Sequence, residues 1–106
     1  DLIRPALYNA THKIMNISTS TQHHSVNTSI VGPVCESSDV FLKNIKLDSS
    51  PGDILAILDT GAYGFTMSSN YNSRPRPPEV LIEADNTLTV IRARETFEDL
   101  YRIEKL

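Results

Sequence analysis

A mainly β domain, an antiparallel β-barrel or sandwich-like fold with short helices near both ends, is predicted by three features of the sequence. Its apolar runs are short, turn signals recur between them, and the segments with helix-start chemistry lie towards the two ends. A chain of 106 residues holds a single domain with one modest core. Hydrophobic residues make up 40% and charged residues 22%, a globular rather than a disordered balance.

Pro5-Ala6-Leu7-Tyr8-Asn9-Ala10 predicts a short helix with proline at its first position, where a missing N–H costs nothing. Arg4 and Tyr8 then lie about one turn apart, near the helix start. His12 to Ser18 alternates apolar and polar residues around Ile14, Met15 and Ile17, and reads as a strand. Ser18 to Ser29, rich in Ser, Thr, Asn and His, reads as a polar surface loop. The apolar run Ser29 to Cys35 reads as the next strand. Pro51-Gly52-Asp53 signals a turn before Ile54 to Leu58, expected as a buried strand. Val80 to Glu83 and Thr87 to Arg94 flank Ala84-Asp85-Asn86 as a hairpin, with Leu88 and Val90 turned inward. Thr96 followed by Glu98 and Asp99 opens a last helix, expected to pack through Phe97, Leu100 and Tyr101. No internal repeat is present.

A net charge of −3 and a pI near 5.5 argue against nucleic acid or an anionic membrane as the main partner. One cysteine cannot form an internal disulfide, so a reducing, cytoplasmic setting is expected. No apolar stretch has membrane-spanning length and no secretory leader opens the chain. The start at Asp1, without an initiator methionine, reads as a cut fragment. The sequons at Asn9, Asn16 and Asn27 read as chance matches in Ser/Thr/Asn-rich sequence.

Four constellations carry potential chemistry. Gly32-Pro33-Val34-Cys35-Glu36-Ser37-Ser38-Asp39 sets the single thiol beside a carboxylate. Such a thiol serves either as an acid or nucleophile or as a small buried hydrophobe. Leu55 to Ala62 ends an apolar strand in Asp59-Thr60-Gly61-Ala62, like the active-site turn of retroviral-type aspartic proteases. No glycine occurs in the later run Leu88 to Arg94, so a plain strand-to-turn transition is the alternative. His12, His23 and His24 lack metal-ligand spacing and read as solvated, so no metal is expected. Arg74-Pro75-Arg76-Pro77-Pro78 is either an SH3-type ligand or an extended surface connection. Before it, Met67 to Ser73 is rich in hydrogen-bonding side chains, and Tyr63 sits between Gly61 and Gly64, where a loop can approach a ligand.

In order along the chain, Arg4-Pro5-Ala6-Leu7-Tyr8, Gly32 to Asp39, Asp59 to Gly64, Met67 to Pro75 and Arg94 to Leu100 closely resemble the carboxyl-terminal domain of diaminopimelate decarboxylases. The resemblance covers nearly the whole chain and overrides the protease reading of Asp59. It implies a β-domain that follows an amino-terminal (β/α)8 barrel, which would hold most of the pyridoxal 5′-phosphate and its Schiff-base lysine. It further implies decarboxylation of meso-diaminopimelate to L-lysine by a homodimer with shared active sites. Residue by residue, Cys35 would be the catalytic proton donor, and Glu36 would bind the distal ammonium. Arg4 and Tyr8 would hold the distal end of the substrate, and Tyr63 would touch both cofactor and substrate. The residue types agree with that chemistry, because a second amino-acid head needs a cation for its carboxylate and an anion for its ammonium. Ornithine-type decarboxylases carry aspartate after the corresponding cysteine, whereas Glu36 follows here.

Lys13, Lys43, Lys46 and Lys105 lie in none of the contexts expected of the Schiff-base lysine, and no glycine-rich phosphate cradle is present. The chain alone is therefore expected to bind the cofactor weakly and to be inactive. Ornithine- or arginine-type decarboxylation, a non-catalytic dimerisation module and the Asp-Thr-Gly protease are the alternatives.

Overall fold

Period-two alternation of apolar and polar residues organises the two longest strands among the described residues. The structure, a computed structural model describing residues 3–19 and 24–105, is mainly β with short helices near both ends. Helix α1 (Pro5–Tyr8) starts on proline and ends on Asn9, whose φ of 51° lies in the left-handed region that asparagine tolerates. Strands β1 (Ile14–Asn16) and β4 (Leu55–Ile57) pair antiparallel, Ile14 opposite Ile57. The Asn16 amide ties this pair to the end of β3 (Val40–Ser49) and the turn after it, donating to Asp48 O at 2.9 Å and Asp53 Oδ2 at 2.8 Å. In that turn Gly52 has a φ of 94°, as a left-handed turn position requires.

The main ladder joins β2 (His24–Val31) to β3 (Val40–Ser49). Val26, Thr28 and Ile30 face Leu47, Ile45 and Leu42, cross-strand pairs of the kind that stabilise an antiparallel sheet. The register shifts between Thr28 and Ile30, opposite Asn44, whose φ of 54° marks a bulge. Strands β5 (Glu79–Ile82) and β6 (Leu88–Arg92) form a hairpin, followed by α2 (Phe97–Tyr101). Thr96 caps α2 in a reciprocal box with Asp99.

The connection from β2 to β3 is a closed clasp. Gly32 N–H donates to Asp39 O at 2.9 Å, and Val34 N–H donates to Asp39 Oδ2 at 2.8 Å. Asp39 N–H donates back to Glu36 O at 3.1 Å. Val34 is 8% exposed and Asp39 7%, so an apolar anchor and a satisfied carboxylate are buried together.

Several expectations are corrected. The predicted barrel or sandwich is antiparallel but not closed: the described strands form three separate two-stranded sheets. A radius of gyration of 16.1 Å, against about 13 Å for a compact domain of this size, reflects that openness. The expected polar loop Ser18 to Ser29 is a strand from His24 onward, because Val26, Thr28 and Ile30 alternate with polar residues; its residues 20–23, His23 included, lie outside the described residues. The strand expected over Ser29 to Cys35 stops at Val31, where Gly32 and Pro33 turn the chain into the clasp. Strand β3, the longest, was not foreseen from sequence, although Ile45 and Leu47 alternate with Lys46 and Asp48. The run Ile54 to Leu58 is half-buried rather than buried, with Ile54 exposed. Leu88 and Val90 do not turn inward: they are 67% and 63% exposed, and Ile91 on the opposite face is exposed too. Phe97 and Tyr101 are likewise exposed while Leu100 is half-buried, so α2 rests on its cap and turn bonds more than on a packed face.

Because any β-carbon at Gly32 would overlap the Asp39 carboxylate, Gly32→Ala should destabilise the clasp by about 1–3 kcal/mol. A lower urea midpoint of the polypeptide carrying this chain would register the loss.

Candidate functional site

The clasp presents Cys35 and Glu36 at its outer edge. Glu36 N–H donates to Val34 O at 2.8 Å, a tight turn that leaves Cys35 exposed. Arg4, immediately before α1, reaches across to place Nη1 3.2 Å from Glu36 Oε1. Ser38 Oγ donates to the same carboxylate oxygen. The two charged side chains are 27% and 30% exposed. An ion pair open to water to that degree adds little stability and can be exchanged for a ligand's charges.

Helix α1 also carries Tyr8, whose ring stacks on Tyr63 with centroids 4.9 Å apart. Tyr8 OH lies 3.5 Å from His12 Nε2, and His12 Nδ1 lies 3.0 Å from Leu58 O. A carbonyl can only accept, so Nδ1 carries the proton and Nε2 accepts from Tyr8. His12 is buried and serves as a brace for Tyr8; among the described residues no group of His, Cys, Asp and Glu could hold a metal. Tyr63 is exposed at the start of the turns 60–68, where Tyr63 N–H and Gly64 N–H both donate to Thr60 O. Asp59, with a φ of 58°, marks the strand-to-turn transition before them.

A second loop closes on Cys35. Asn72 Nδ2 donates to Cys35 Sγ at 3.5 Å, from a residue with a φ of 56°. The loop is fastened by Arg76, which is half-buried rather than a free surface arginine. Arg76 Nη1 reaches Glu95 Oε1 at 3.1 Å and Asn70 Oδ1 at 2.7 Å, while Nε reaches Ser68 Oγ at 3.1 Å. Asn70 Nδ2 donates to Glu95 Oε2 at 2.7 Å. The Arg76 backbone N–H, then the Asn70 amide and the Arg76 guanidinium, hold the Glu95 carboxyl below its ordinary 4.5. Further along, Arg92 lies 3.8 Å above the centre of the Phe65 ring and pairs with Glu79.

The structure thus brings Arg4 and Glu36 together, and Tyr8 with Tyr63, with α1 joining the two pairs. Sequence reasoning did not single out Ser38, Asn72 or the Arg76–Glu95 pair. The one available signal was the density of hydrogen-bonding side chains over Met67 to Ser73. A cavity of about 350 Å³ lined by Ile3, Phe41, Ile57, Phe65 and Pro77 includes none of these site residues and offers an apolar packing surface instead.

The chain as a whole is similar to known proteins in sequence and fold. Residues 1–61 match the family described as pyridoxal-dependent decarboxylase, C-terminal sheet domain. The chain belongs to that family. Among individual proteins it is 49% identical over 106 residues to a diaminopimelate decarboxylase of Helicobacter pylori, covering 99% of this chain and 26% of that protein. It is 46% identical over 102 residues to the enzyme of that name from Methanothermobacter thermautotrophicus, covering 95% of this chain and 24% of the relative. The crystal structure of the Helicobacter pylori diaminopimelate decarboxylase complexed with L-lysine superposes with a TM-score of 0.84 at 48% identity, over 98% of this chain and 25% of that one. The chain therefore spans about a quarter of the length of the relatives it matches. No helix among the described residues is long and apolar enough to cross a membrane.

A carboxylate whose pKa is lowered on folding adds stability above its unfolded value and loses it as pH falls through the folded one. For Glu95 that loss begins below its ordinary 4.5. Glu95→Gln should therefore flatten the fall in urea midpoint below about pH 5, leaving the part contributed by Asp85 and Asp99, whose carboxyls are also lowered.

Proposed function

We propose that this chain is the carboxyl-terminal β-domain of a longer diaminopimelate decarboxylase that converts meso-2,6-diaminopimelate to L-lysine and carbon dioxide. The observation that carries the reading is the Arg4–Glu36 ion pair beside the exposed Cys35 thiol. A zwitterionic amino-acid head can exchange with that pair, its carboxylate taken by Arg4 and its ammonium by Glu36. Ser38 keeps the Glu36 carboxylate aimed while the exchange takes place. The lysine complex of the Helicobacter pylori relative supports a ligand with a distal ammonium.

Pyridoxal 5′-phosphate, when bound, supplies the electron sink for loss of a carboxylate. The residues present suit one side of that cofactor and not its covalent anchor. The Tyr63 phenol and the Cys35 thiol are open to it, whereas Lys13, Lys43, Lys46 and Lys105 are all exposed. On this reading an amino-terminal (β/α)8 barrel of the same polypeptide holds the cofactor, with Tyr63 contacting it. Tyr8, with its proton directed to His12, offers an oxygen acceptor near the distal end of the substrate. Cys35 Sγ–H delivers a proton to the carbon that has lost its carboxylate and is then reset from water. The active polypeptide is a cytoplasmic homodimer with shared active sites, in keeping with the large apolar side chains that this chain leaves exposed.

Carbon dioxide release from meso-diaminopimelate by the full polypeptide should fall at least about a hundredfold in Cys35→Ala. Unchanged turnover in that variant refutes the reading. Cofactor binding without turnover on diaminopimelate would point instead to an ornithine-like substrate. Arg4→Ala should raise KM by on the order of tenfold to a hundredfold, because the substrate's distal carboxylate loses its cation. The 106-residue chain alone should show no bound-cofactor absorbance band and no carbon dioxide release.

A further inference from the structure

We infer that Asn72 is a positioning residue for the Cys35 thiol, setting its direction and meeting the charge that develops on Sγ as the proton leaves. The inference rests on the proposed role of Cys35 as proton donor. Its own support is geometric. Asn72 Nδ2 lies 3.5 Å from Cys35 Sγ, the range of an N–H···S hydrogen bond, across a sequence separation of 37 residues. Sulfur is the only acceptor in this contact, since an amide nitrogen can only donate.

The contact is built rather than incidental. Asn72 holds a φ of 56° and ψ of 31°, and Ser73 after it has a φ of 56° as well. Two successive left-handed residues turn the loop tip towards the clasp, at a backbone cost that few residue types other than glycine, asparagine and aspartate tolerate. The tip is gripped on both sides. Asn70 Nδ2 donates to Arg74 O at 3.0 Å, closing the turn around Asn72. Asn70 and Arg76 are both bound to Glu95, which anchors the loop base to the residue just before the Thr96 cap. The clasp, held by Asp39, fixes the other partner. Two independently fastened loops therefore meet at one sulfur.

When the thiol gives its proton to carbon, negative charge develops on Sγ. A donor already aimed at that atom strengthens its bond as the charge forms, so the proton leaves Sγ more readily with Asn72 in place. The same bond restricts rotation about the Cys35 side chain and keeps Sγ–H pointed to one side. The neighbouring Glu36 carboxylate is itself held by the Arg4 guanidinium and the Ser38 hydroxyl.

The test separates backbone from side chain. Asn72→Gly keeps the left-handed backbone and removes the donor; Asn72→Asp keeps shape and backbone tolerance but replaces the donor with a carboxylate. The full polypeptide, with its cofactor, is alkylated with iodoacetamide across a pH series, and modification at Cys35 is quantified by peptide mass spectrometry. The midpoint should rise by about one pH unit in Asn72→Gly and further in Asn72→Asp. Turnover of meso-diaminopimelate by Asn72→Gly should lose roughly threefold to tenfold in kcat, with KM within about a factor of two. Wild-type alkylation midpoints in both variants overturn the inference, since a merely structural role for Asn72 would not move them in this order. Full activity in Cys35→Ala would fail the underlying functional reading instead, and any catalytic role for Asn72 with it, whatever the alkylation profiles.

Discussion

The Asp39 carboxylate, bonded to the Val34 N–H and packed over Gly32, is the constraint on which the site depends. Its main chain closes the same loop from the other side, accepting from Gly32 and donating to Glu36. With both the backbone and the side chain of one buried residue engaged, the seven peptide links from Gly32 to Asp39 have little freedom left. Cys35 and Glu36 are held by this geometry and not by packing, since Cys35 is exposed. Glycine at position 32 follows from the same fact: the carboxylate occupies the space a side chain would need.

Around the clasp, charge and ring contacts recruit the rest. Arg4 meets Glu36, and the short helix after it carries Tyr8 onto Tyr63, so one proline-started turn aligns both side-chain pairs of the candidate site. The Arg76–Asn70–Glu95 network does the same for the opposite loop, using charge-assisted bonds instead of apolar burial. Polar tethers of this kind suit a domain whose buried hydrophobic side chains among the described residues are Ile3 and Val34.

That sparse core gives the domain its open shape. Leu81, Ile82, Leu88, Val90 and Ile91 are exposed on both faces of the β5–β6 hairpin, and Phe97 is exposed on α2. Apolar area of this extent is stable only when covered. The chain is about a quarter as long as its relatives, and its own contacts leave this apolar area open.

Local signals in the sequence determined the elements whose cause is local. Proline at position 5, the Thr96–Asp99 cap and the Ala84-Asp85-Asn86 turn fixed α1, α2 and the hairpin, because each depends on residues within one turn of the backbone. The chain's ordered motif blocks likewise made Cys35, Glu36, Arg4, Tyr8 and Tyr63 legible as candidates. Strands β2 and β3 were obscured because their polar residues are those of loops, and only pairing across the ladder reveals the alternation. The inward face expected of Leu88 and Val90 failed for a related reason: period-two patterning says which residues share a face, but not whether anything covers it. Tertiary structure alone decided that Glu36 meets Arg4 across 32 residues and that Asn72 meets Cys35 across 37. Such contacts depend on how two loops are fastened to the sheets, and no local propensity encodes that distance.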